Sequence, residues 1–111
     1  VDSSYTPNFD TDSVKTDVSG EIVGAGYTAG GEALTSVTFT ISSGTITWDA
    51  ADVTWSASTI TNAAAAVIYN TSETNDPLIA YVDFGGNFST TSGTFQIVWN
   101  ASGIFTLDLT P

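Results

Sequence analysis

After residue 21 the chain alternates apolar and polar positions with period two over much of its length. Val37, Phe39 and Ile41 alternate with Thr38 and Thr40, which predicts a strand with one apolar and one wet face. Ser42-Ser43-Gly44 supplies a hairpin turn, and Thr45 to Trp48 the returning strand, with Ile46 and Trp48 on one face. Upstream, Glu21 to Gly24 reads as a short strand, broken at Gly24-Ala25-Gly26 and again at Gly30-Gly31. Downstream, Val53 and Trp55 alternate again.

Ser58 to Asn70 sets two tendencies against each other. Ala63 to Ala66 favours helix, while Thr59-Ile60-Thr61 and Val67-Ile68-Tyr69 on either side favour strand. Neither flank carries a helical apolar stripe, so a strand is expected. Small residues on both of its faces would suit close packing above and below. Thr71 to Asp76 is a polar loop. Leu78, Ala80, Val82 and Phe84 form one face of the next strand, Ile79 and Tyr81 the other, and Gly85-Gly86-Asn87 is expected to end it. Phe95, Ile97 and Trp99 define another strand, Asn100 to Gly103 a turn, and Ile104 to Leu109 the last strand.

The pattern predicts an all-β, single-domain antiparallel β-sandwich of jelly-roll or Ig-like topology, with about seven or eight short strands. No helix is signalled, and no repeat recurs. Residues 1–20 are polar and rich in Asp, Ser and Thr, with turn chemistry at Pro7-Asn8. Tyr5 and Phe9 are their only large apolar anchors. The expected division is an extended N-terminal arm over 1–20 and a β-sandwich domain over 21–111. The arm either orders against a neighbouring molecule or packs as an edge strand on its own domain.

Composition narrows the function classes. The chain has 111 residues with 41% hydrophobic, enough for one core of modest stability. Twelve acids face one cation, Lys15, for a net charge of −11. Such a surface repels nucleic acid and anionic lipid, so neither is an expected partner. The acids are spread singly and read as solvated faces and turns. The longest apolar run, Ala63 to Tyr69, falls far short of the roughly 20 residues a membrane helix needs. No signal peptide is visible, and the absence of any Met, even at position 1, points to a processed or partial product.

The sequence holds no His and no Cys. That removes the usual near-neutral general base, disulfides, soft metal ligands, and Ser-His-Asp or Cys-His nucleophile systems. No phosphate-binding glycine loop is present. Asp49 and Asp52, flanked by Trp48 and Trp55, are the one close acid pair beside sugar-stacking aromatics. Turn acids that bind their own backbone are the plainer reading of that pair. No catalytic residue and no cofactor is therefore expected. A Ca2+ site drawing on Asp49, Asp52, Asp76 and Asp83 has the right hard oxygens but lacks EF-hand spacing. Three Asn-x-Ser/Thr sequons start at Asn70, Asn87 and Asn100 and arise easily by chance in a Ser/Thr-rich chain.

Several segments, taken in order, resemble a family of small tailed-bacteriophage virion proteins. They are Tyr5-Thr6-Pro7-Asn8, Gly26-Tyr27-Thr28-Ala29-Gly30-Gly31, Trp48-Asp49-Ala50-Ala51-Asp52-Val53-Thr54-Trp55, Pro77-Leu78-Ile79-Ala80-Tyr81-Val82-Asp83-Phe84-Gly85 and Trp99-Asn100-Ala101-Ser102-Gly103-Ile104. In that family a short segment precedes the Tyr-Thr-Pro stretch. The resemblance implies a non-enzymatic virion structural protein. Small size and a single domain favour a capsid decoration (cement) protein on the particle surface, with a tail-associated subunit as close kin. The expected partners are the major capsid protein and sister subunits, as a homotrimer. Tyr5, Pro7, Phe9 and Tyr27 are the candidate partner-binding residues, on the arm and the glycine-rich segment. The alternative is a tail- or fibre-associated adhesion module that binds host carbohydrate through Trp48, Trp55, Tyr69, Tyr81 or Trp99.

Overall fold

The computed structural model describes every residue from Val1 to Pro111. The chain is nearly all β, with one 3-10 turn at Lys15–Asp17 and no α-helix. There are five strands: β1 (Thr38–Ser42), β2 (Thr45–Asp49), β3 (Val53–Tyr69), β4 (Leu78–Ile97) and β5 (Phe105–Asp108). They form two antiparallel sheets, a three-stranded one in the order β1-β2-β5 and a two-stranded one of β3 and β4.

Five strands replace the expected seven or eight because one supposed break does not break the chain and one expected strand does not form. Gly85-Gly86-Asn87 does not end β4, which runs on for 20 residues. Instead it is absorbed as a bulge: Ala63 pairs with Phe88 and Ala65 with Asp83, so five steps along β4 oppose two along β3. Gly85 takes the positive φ of 73° there, and the Asp83 carboxylate accepts its N–H at 2.8 Å. The other expected strand, Glu21 to Gly24, pairs with nothing as a strand.

Ser58 to Asn70 does resolve as strand, inside β3. The long β3-β4 ribbon stays paired by shifting register repeatedly. Each of four shifts has a left-handed residue beside it: Ala57 between Trp55 and Ser58, Ser92 opposite the Ser58–Ile60 step, Asn62 between Ile60 and Ala63, and Gly85 opposite Ala63–Ala65. A bulge residue in this backbone region bends the strand and raises its twist. The β1-β2 turn is of the expected kind, with Ser43 and Gly44 both at positive φ and Ser42 paired to Thr45.

The core is small. Ile22, Val53, Trp55, Ile60 and Ala63 form its buried cluster, against which Tyr27, Leu34, Phe84, Phe95, Ile97 and Trp99 pack. The buried cluster lies on the β3-β4 ribbon and the segment 21–37 laid across it, with Trp99 packing from just beyond the end of β4. No strand of the small sheet packs along a strand of the ribbon.

Residues 1–20 lie on the same ribbon. Asp2 bridges to Ala63 and Val14 to Pro77. The Val1 carbonyl accepts the N–H groups of Ala64 and Ala65, and Leu78 donates to the Ser13 carbonyl. Asp17 caps the 3-10 turn by accepting from the Ser13 and Val14 amides at 2.9 and 3.0 Å.

Candidate interaction surfaces

Of the four candidate contact residues, the fold leaves one open. Tyr5 is buried; its ring meets Tyr81 edge-on and its hydroxyl donates to Asp12 at 2.9 Å. Burial first, then that carboxylate, pushes its pKa up to about 12. Pro7 is half-buried. Tyr27 stacks on Trp55 at 6.0 Å, and its hydroxyl donates to Glu21. Burial raises the Tyr27 phenol further still, with the Glu21 charge adding to it. Phe9 alone projects, 80% exposed, with one edge on Tyr81.

The glycine-rich segment is fastened down. Glu21 accepts from the Gly30 amide as well as from Tyr27, and the Tyr69 hydroxyl donates to the Gly30 carbonyl. The Lys15 ammonium sits 4.9 Å above the Tyr69 ring, so the one side-chain cation is held at this loop. Thr59 donates its amide to the Ala25 carbonyl at 2.8 Å. Gly24 makes the approach possible: a Cβ there would lie 1.9 Å from the Thr59 carbonyl oxygen. Between this segment and the ribbon lies a cavity of about 790 Å³, walled mostly by apolar side chains including Leu34, Trp55 and Trp99. The Trp55 indole N–H is buried without a partner.

The acidic turn between β2 and β3 binds backbone. Asp49 accepts the Ala50 amide, and Asp52 accepts the Trp99 amide at 2.9 Å from 47 residues away. The Trp99 indole returns a bond to the Ala51 carbonyl. No three acidic side chains converge as a cation site, so Asp49, Asp52, Asp76 and Asp83 are not brought together. Asn70 and Asn100, two of the sequon residues, each close a local turn by accepting from the amide two residues on.

Comparison with family models, curated proteins and solved structures finds no match to this chain.

What sequence reading did not single out is the apolar face of the small sheet as an open surface. Its register places Phe39 opposite Trp48, Ile41 opposite Ile46, Ile46 opposite Leu107 and Trp48 opposite Phe105. Directly paired residues project to the same side of a sheet. One face is therefore wholly apolar. The other carries Thr38, Thr40, Ser42, Thr45, Thr47, Asp49, Thr106 and Asp108. On the apolar face the edge-strand residues are open: Phe39 66%, Ile41 67%, Phe105 53% and Leu107 44% exposed.

Proposed function

We propose that this protein is a non-enzymatic structural subunit of a phage virion, and that it acts as a capsid decoration or cement protein on the particle surface. The observation that carries the reading is the imbalance between a small internal core and a large open apolar surface. Eight apolar residues are buried, while eleven large hydrophobic residues stay exposed. A subunit whose apolar surface is finished by assembly has this distribution. The ordered resemblance to small virion proteins points the same way.

The segments that carry the resemblance serve as fasteners of the fold. Asp52 and Trp99 tie two of them together, Tyr27 joins a third by stacking on Trp55, and Pro77 accepts the Asn70 amide at the ribbon loop. Four of the five aromatics that would serve a carbohydrate site are engaged in packing or hydrogen bonds: Trp55 is buried, Trp99 binds Ala51, Tyr69 binds Gly30 and Tyr81 packs on Tyr5, while Trp48 stays half-exposed on the small sheet. A single-domain antiparallel sandwich of jelly-roll or Ig-like topology is the finer fold that belongs to this reading, and the two antiparallel sheets of the chain support its coarser part.

Quantitative mass spectrometry of purified virions tests the proposal. A copy number near that of the capsid subunit supports decoration. A few copies per particle would move the protein to the tail or a vertex, and absence would overturn the virion reading.

A further inference from the structure

We infer that the apolar face of the β1-β2-β5 sheet is an interface between copies of this chain, packed sheet against sheet. The inference rests on the reading of the protein as an assembly subunit but not on the virion itself.

The face is wholly apolar and open along both edge strands, while Ile46 and Trp48 on the central strand are half-buried and Trp48 also lines the cavity beside the ribbon. Phe39, Ile41, Ile46, Trp48, Phe105 and Leu107 fill it, with no charged side chain and no hydroxyl among them. Val37 and Leu109, just beyond the ends of β1 and β5, are open as well. A sheet buries an apolar face by packing it against another element, and two such faces stack at about 10 Å with their side chains interleaved.

The surface area matches one missing partner. The chain exposes 6934 Å², whereas a compact monomer of its mass exposes roughly 5,800 Å². The excess of about 1,100 Å² is comparable to the roughly 800 Å² that each side of a standard interface buries.

Charge selects the occupant. Each copy carries −11, so contact between copies over most surfaces would bring carboxylates together. The two acids of the small sheet, Asp49 and Asp108, both belong to the polar face. The apolar face is thus a place where two copies meet without like charges opposed. It is also self-complementary, since an all-apolar surface asks no polar group of its partner. A second copy is present wherever the chain is made, so the face is covered before any other partner is met.

The test is sedimentation velocity of the whole chain over a range of concentrations, with Ile41→Lys and Thr40→Lys alongside. These neighbours lie on opposite faces of an exposed edge strand. The wild-type chain should form a dimer, since one face packed on its own copy closes in pairs. Ile41→Lys should weaken that association at least about tenfold, and Thr40→Lys should leave it unchanged. Cysteine substitution gives an independent readout, because the chain has no Cys of its own. Ile46→Cys, on the central strand, should cross-link between copies with a short bis-maleimide, and Thr47→Cys should not. A wild-type monomer at all concentrations overturns the inference, as does an oligomer indifferent to Ile41→Lys or cross-linked equally from both faces. A chain absent from virions that still self-associates through this face loses the virion reading and keeps this one.

Discussion

The fully buried Ser58 hydroxyl lies 3.1 Å from the Trp55 carbonyl, 3.2 Å from the Gly93 carbonyl and 3.2 Å from the Thr90 hydroxyl. It sits between two register shifts, where backbone groups lose their ladder partners. The hydroxyl itself is shielded from water, and these three groups are its hydrogen-bond partners. Ser58→Ala should therefore destabilise the chain by about 1–3 kcal/mol, as measured by urea unfolding. Tyr5 gives a pH signature. Its folded pKa of about 12 stands above the ordinary value of 10.0, because burial and Asp12 oppose ionisation. The unfolded chain ionises first, so the stabilisation is fully present below pH 10.0 and is lost as pH rises through about 12. Tyr5→Phe should flatten that part of the alkaline limb in a thermal-melt series across pH, while the Tyr27 contribution remains.

Among the elements, the seating of the glycine-rich segment depends on backbone approaching backbone. Gly24→Ala forces a methyl into the Thr59 carbonyl and should cost about 1–3 kcal/mol, with a red shift of tryptophan emission as Tyr27 leaves Trp55. Gly85→Ala makes a contrast: nothing lies within 4 Å of a Cβ there, so only the positive φ is strained. That strain should cost about 1–2 kcal/mol, read from the same melts, without changing the emission. These two glycines also mark the limit of what the sequence discloses. Alternation foretold β1 and β2, because side-chain period is a local property, and the strand character of Ala63 to Ala66 was read from its β-forming flanks and their lack of a helical stripe. Alternation could not tell the turn at Gly85-Gly86-Asn87 from a bulge, since both need the same residues and differ only in what the opposite strand does. The two faces of the small sheet were legible in part from Phe39, Ile41, Ile46 and Trp48. Alternation reports which face avoids water, not which molecule covers it. Tyr5 was legible as an anchor, but its partners Tyr81 and Asp12 are set by tertiary packing.

For the whole molecule, size and charge act in opposite senses. The Cα radius of gyration is 15.0 Å, against about 13 Å for a compact chain of this length. The elongated shape leaves apolar surface to be covered, while the net charge of −11 pushes copies apart. Added salt screens that repulsion without weakening apolar contact, the screening length being about 8 Å at physiological ionic strength. Self-association should therefore tighten as salt rises from low to physiological levels in sedimentation equilibrium. An interface held by ion pairs would loosen instead.

The four register shifts of the β3-β4 ribbon that carry a left-handed residue have a kinetic consequence. Closure starts most easily at the loop between Asn70 and Pro77, where the chain separation is least, and pairing zips outward from there. In a regular ribbon of this length a slipped pairing would be a long-lived trap, because shifted partners fit nearly as well as correct ones. Here each left-handed residue must meet its own interruption across the strand, and a slip mismatches all four at once. Irregularity thus acts as a proofreading device, and the arm, whose partners Ala63 and Pro77 lie within the finished ribbon, closes last.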